Sequence, residues 1–131
     1  MAEVPNRYAT GTVNEGVLVI TIMLEEIRDT SEAHACRDTM VALVDSTHAT
    51  AVIIDLGCVT FLGSVGLVAL LGVRRRMGGG RIILCNASAA VAEMLAVCRL
   101  IPKSESESGP FEYTRTLSSA HDKLAAVGST G

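Results

Sequence analysis

The sequence predicts an α/β domain: a mixed sheet of about four or five strands covered by about four helices. Three observations carry this. Short apolar runs rich in β-branched residues recur at 17–23, 51–56 and 81–85, as buried strands require. Stretches with apolar residues at helical spacing lie between and after them. The 131 residues suit one domain that buries its own core without staples, expected to span 1–131.

Residues 7–13 alternate weakly and 17–23 are apolar except for Thr21. Asn14-Glu15-Gly16 between them suits a hairpin loop, so two antiparallel strands open the domain. Asp29 followed by Glu32 resembles a capping box. Ala33, Cys36, Met40, Leu43 and Val44 then recur at helical spacing, which predicts an amphipathic helix of about four turns. Residues 51–56 are apolar except for Asp55, as in a central strand covered on both faces. After breaks at Gly57 and Gly63 the pattern turns helical from Ser64 to Met77, and Gly78-Gly79-Gly80 ends it.

Residues 81–85 form the next buried strand, parallel to the one before through a right-handed crossover. A helix is expected over about 89–100, with Val91, Met94, Leu95 and Cys98 inward. Residues 102–110 read as a flexible polar loop and 111–114 as a short strand. Thr116 or Ser118 starts a last helix, with Leu117, Ala120, Leu124 and Val127 inward. Residues 128–131 read as a frayed tail.

Composition excludes several functions. The net charge is −3, with two Phe, two Tyr and no Trp. Nucleic-acid binding needs a basic face or stacking platforms, and neither is present. The four cysteines form no CxxC pair and fall mostly in apolar runs. They read as reduced core residues of a cytoplasmic protein. The three histidines have no ligand spacing, so no metal and no cofactor are expected. The first residues lack the apolar stretch of a signal peptide. Residues 51–73 carry a single charge, but four glycines interrupt them and Asp55 would lie in hydrocarbon. No membrane span is expected.

No enzyme is expected. Glu25, Glu26 and Asp29 cluster without a nucleophile or base. Gly63-Ser64-Val65-Gly66 is not a phosphate-binding loop, because no Lys-Ser/Thr follows. It is not a nucleophile elbow, because position 62 is Leu. A nucleotide sensor at this helix start is disfavoured for the same lack of a lysine. Arg74, Arg75, Arg76 and Arg81 read as ordinary solvated residues complementing a helix C-terminus.

The stretch around Ser64 carries the functional signal. Apolar residues run nearly all round its helix, more than one sheet can cover. A hydroxyl at Ser64 can cap backbone amides, and a phosphate there would face the positive end of the helix dipole. Phe61, Leu62, Gly63, Ser64, Val65, Val68 and Leu71 are the candidate partner-binding residues.

The run from Asp55 to Leu67 resembles the signature of STAS domains, especially bacterial anti-sigma factor antagonists. It matches at Asp55, Leu56, Val59, Phe61, Leu62, Ser64, Gly66 and Leu67. The resemblance implies a STAS-like fold and a protein-binding switch. Ser64 matches the serine phosphorylated by an anti-sigma factor that is also a serine-protein kinase. The unphosphorylated form binds that partner and frees the sigma factor for transcription; the phosphorylated form releases it. Two positions depart from the pattern. Gly63 replaces the aspartate before the serine, and Leu24-Glu25-Glu26-Ile27 replaces a Gly-Glu-Leu-Asp run. They favour the alternative of a non-phosphorylated interaction module in a signalling scaffold, in which Ser64 serves only as a helix cap. A monomer or weak homodimer is expected.

Overall fold

The computed structural model describes residues 7–103 and 109–130, with side chains placed through residue 125. Among the described residues, seven strands and four helices follow in the order β1 (Ala9–Asn14), β2 (Val17–Ile22), β3 (Glu26–Ile27), α1 (Thr30–Thr47), β4 (Ala51–Asp55), β5 (Phe61–Leu62), α2 (Ser64–Met77), β6 (Arg81–Cys85), α3 (Ala89–Val97), β7 (Glu112–Thr114) and α4 (Leu117–Thr130). The main sheet runs β1-β2-β4-β6-β7. β1 and β2 are antiparallel, and β2, β4, β6 and β7 are parallel neighbours. This is the mixed sheet the apolar runs predict. A second sheet, the parallel pair β3-β5, has no forerunner in the sequence reading. Two residues per strand carry no readable period.

The hairpin loop is shorter than expected. Asn14 pairs with Val17, leaving Glu15 and Gly16 alone at φ 54° and 80°. Two left-handed residues make the turn that matches strand twist. Asp29 caps α1 by accepting from the Glu32 amide at 2.7 Å. The helix has 18 residues, about five turns rather than four. It buries Ala33, Cys36, Met40 and Val44.

The sheet separates two cores. On one face, α1 and α2 pack over Leu18, Ile20, Val52, Ile54 and Leu84. On the other, α4 sets Ala120 against Val19, Ile53, Ile83 and Cys85. β4 is therefore buried on both sides, as its composition predicts.

Two boundaries differ from the sequence reading. α3 ends at Val97, because Arg99 takes φ 63°. The amides of Arg99 and Leu100 reach back to the carbonyls of Ala96 and Leu95 at 3.0 and 2.9 Å. That left-handed stop turns Leu100 and Ile101 into the core and leaves Cys98 exposed. Of the two starts expected for α4, Thr116 is the cap, accepting from the Ser119 amide at 3.0 Å. α4 continues to Thr130, past the point where a frayed tail was expected. One glycine costs a helix only about 1 kcal/mol. The inward placement expected of Val127 lies outside the described side chains. Most of the loop expected at 102–110 likewise lies outside the described residues.

Candidate functional site

The site is built where β4 ends. Asp55 accepts from the Gly57 amide at 2.8 Å, which turns the chain. Val59 plugs the turn from inside, 2% exposed. The segment is then strapped to β3. The amides of Thr60 and Phe61 both donate to the Glu25 carbonyl, at 2.7 and 3.2 Å, and the Gly63 amide donates to Ile27 at 3.0 Å. The Thr60 hydroxyl adds a third bond to Glu25 at 3.1 Å.

Pairing with β3 fixes which side chain faces out. Phe61 points outward, 39% exposed, and Leu62 points into the core, 1% exposed. Leu62 therefore does not belong to the exposed surface, contrary to expectation. Strand alternation sends neighbours to opposite faces. Gly66 makes room for it. A Cβ there would collide with the Leu62 side chain and come within 3.3 Å of Ile27 Cγ2.

α2 starts from Gly63 as its cap, at φ −76° and ψ 177°, with no side-chain cap bond. Ser64 is thus the first helical residue and not the cap, which corrects the sequence reading. The Gly63 carbonyl takes the amides of Gly66 and Leu67. Those of Ser64 and Val65 have no partner among the described residues. The Ser64 side chain is exposed. Four positions on, Val68 is 61% exposed, and Leu71 beyond it is 37% exposed. Ser64, Val68 and Leu71 form one stripe, because residues three and four apart share a helix face. The opposite face buries Gly66, Leu67, Ala69, Leu70 and Val73. Val65 and Gly63 are half-buried at the stripe's edge.

Two neighbours of this ledge had no signal in the sequence. The Arg28 guanidinium lies 4.2 Å from the centre of the Phe61 ring, a cation–π contact. Its Nε donates to Glu26 at 2.8 Å. That bond holds the Glu26 carboxyl below its ordinary range and raises Arg28. On the other side, a groove of about 130 Å³ runs between α1 and α2, lined by Ala33 and His34 and by Ser64, Val65 and Val68. Both come from segments distant in sequence, so only folding reveals them.

Several of the other charged residues singled out in the sequence are committed elsewhere. Asp29 is the α1 cap. Arg76 forks onto Asp45 at 3.0 Å, Arg74 donates to the Pro110 carbonyl at 2.9 Å, and Arg81 forks onto Glu112. Three of the four arginines read as ordinary solvated residues thus tie elements together. Of the cysteines expected in the core, Cys36 and Cys85 are buried, but Cys58 and Cys98 are exposed. Both sit in turns, where an apolar neighbourhood in sequence does not mean burial. Among the described residues, no group of His, Cys, Asp and Glu side chains could hold a metal ion. No described helix is long and apolar enough to cross a membrane.

Comparison with known proteins adds the following. The family model described as STAS domain matches residues 8–115. No curated protein sequence matches the chain. Solved structures do. An anti-sigma factor antagonist from Mycobacterium paratuberculosis is 25% identical, with TM-score 0.73, over 89% of this chain and 92% of its own. The anti-sigma factor antagonist SpoIIAA in its unphosphorylated form is 21% identical, with TM-score 0.61, over 89% and 97%. The Bacillus cell fate determinant SpoIIAA in the phosphorylated form is 22% identical, with TM-score 0.61, over 88% and 98%.

Proposed function

This chain belongs to the STAS domain family, and on that premise we propose that it is an anti-sigma factor antagonist switched by phosphorylation of Ser64. Unphosphorylated, it binds a kinase-type anti-sigma factor in the cytoplasm through Phe61, Val65, Val68 and Leu71, and so regulates sigma-factor-dependent transcription. The observation that carries this reading is the exposed Ser64 at the head of an exposed apolar stripe. A phosphate there adds about −1.5 to −2 charges. Docking would have to strip water from them against an apolar surface, which is costly. The free domain tolerates the same charge, because the unpartnered amides of Ser64 and Val65 lie at the positive end of α2. One modification therefore weakens the complex and spares the fold.

The test begins with the anti-sigma factor that co-purifies from the native host. Its affinity for wild type, Ser64→Ala and Ser64→Glu is measured by calorimetry, with mass spectrometry of Ser64 after incubation with ATP. Ser64→Ala should bind like wild type. Ser64→Glu should bind at least ~30-fold more weakly, about 2 kcal/mol, with its melting temperature nearly unchanged. Equal binding by both variants sinks the switch.

A second reading is favoured by Gly63. A Cβ at this position would lie 3.2 Å from the Ile27 carbonyl oxygen, so the turn is closed around glycine where the antagonist pattern has aspartate. If this difference removes kinase recognition, the same ledge serves a constitutive scaffold contact. Ser64 then stays unmodified in the mass spectrum while the partner still binds.

A further inference from the structure

β1 is an edge strand of six residues whose only sheet neighbour among the described residues is β2. In an antiparallel pair, successive residues alternate between bonding the neighbour and facing away from it. The Met23 amide donates to the Tyr8 carbonyl at 2.8 Å, which sets the phase. With the register Thr10↔Thr21, Thr12↔Val19 and Asn14↔Val17, residues 10, 12 and 14 bond to β2. Gly11 and Val13 therefore turn their amides and carbonyls outward. Natural edges are usually blunted by lysine, proline, a bulge or a covering segment. Ala9–Asn14 contains no charged residue and no proline, and its register is unbroken. Val13 is also 56% exposed.

We propose that this edge pairs antiparallel with the same edge of a second copy of the chain, about a two-fold axis at Thr12, joining two five-stranded sheets into one of ten. The register follows from the groups available. With the axis at Thr12, Gly11 of each copy faces Val13 of the other, and each such pair exchanges two backbone hydrogen bonds. The two Thr12 residues meet directly as a non-hydrogen-bonded pair on the opposite face, a favourable cross-strand combination. Val13 then lies beside a residue with no side chain, so the two strands approach there without a side-chain clash. The strand is uncharged, so no repulsion opposes its meeting with itself. The closed two-fold arrangement leaves no second edge of this kind. The contact is small, which makes the dimer weak and concentration-dependent. No residue of the α2 ledge takes part, so this pairing is independent of the proposed switch.

Sedimentation equilibrium of the purified chain over the micromolar to millimolar range tests it. Wild type should move from monomer toward twice the monomer mass. Val13→Pro deletes only an outward-facing amide and should hold the chain monomeric. Thr12→Lys, which sets two ammonium groups face to face, should do the same and serves where the proline variant fails to fold. Register is read by cross-linking in a Cys58→Ser, Cys98→Ser background with oxidised glutathione. Thr12→Cys should give a disulfide-linked dimer, because non-hydrogen-bonded pairs hold their Cα atoms about 4.5 Å apart, within bridging range. Asn14→Cys should not. A chain that stays monomeric throughout overturns the proposal. So does a dimer that survives both edge substitutions in folded protein, or a folded Thr12→Cys variant that forms no cross-link.

Discussion

At the scale of single residues, environment overrides identity. Cys36 and Cys58 have the same thiol, but burial pushes the first up to about 11, while the second stands exposed in a turn. Burial, with the Asp55 charge beside it, pushes Cys85 up to about 12. Only the thiolate attacks disulfide reagents. At pH 8, Ellman's reagent should therefore modify Cys58 and Cys98 quickly. Cys36 and Cys85 should wait for unfolding and react slower by about a thousandfold or more. Four thiols modified at one rate in native protein would contradict the placement of the two cores. The glycines show the same dependence. Gly66 looks like any helix glycine in sequence, but it gives Leu62 the space to enter the core under α2.

At the scale of elements, short strands borrow their stability. β7 has three residues and, among the described residues, pairs only with β6. Across that pairing, Arg81 grips Glu112 through Nε and Nη2 at 2.7 and 2.5 Å, with Lys123 of α4 at 3.5 Å. The hydrogen bond from Arg81 leads the causes that hold the Glu112 carboxyl below its ordinary range, against some desolvation. The folded protein thus binds this proton less readily than the unfolded chain. The resulting stability is complete above the ordinary carboxylate range, near pH ~4, and is lost as pH falls through the lower folded value. Glu112→Gln should cost about 1 kcal/mol at pH 7, as a partly exposed, bidentate pair implies. Its urea curve should converge on that of wild type in acid. A gap that persists at pH 2.5 would assign the loss to packing instead. β3 and β5 borrow in the same way: two residues each, held by hydrogen bonds from the Thr60, Phe61 and Gly63 amides to the Glu25 and Ile27 carbonyls.

At the scale of the whole molecule, two cores of unequal size share one sheet. The smaller depends on α4, whose Ala120 is fully buried against β2, β4 and β6. Ala120→Glu would force a carboxylate between α4 and the sheet. It should lower the unfolding free energy by about 3 kcal/mol or more, measured by urea denaturation. Ala120→Ser, which keeps the size and adds one hydroxyl, should lose about 1 kcal/mol. If the two variants lose equally little, α4 is not closing a core. Among the described residues the ledge on α2 has no comparable cover, as the proposed partner-binding role requires.

What the sequence by itself determined was everything carried by local pattern. The five strands of the main sheet, the four helices and the turn that brings Ser64 to a helix start were all legible. β-Branched runs, helical spacing and glycine breaks act within about ten residues, the range over which backbone preference and side-chain period operate. The STAS signature from Asp55 to Leu67 was readable for the same reason, as one uninterrupted stretch. Only the tertiary structure decided that Leu62 turns in while Phe61 turns out under Arg28. It alone made Gly63 rather than Ser64 the cap, tied three arginines to other elements, and placed β1 at the edge of the described sheet. Each of these depends on which distant segment arrives alongside. A one-residue change of strand register exchanges the buried and exposed faces, and no local pattern records which partner the register is measured against.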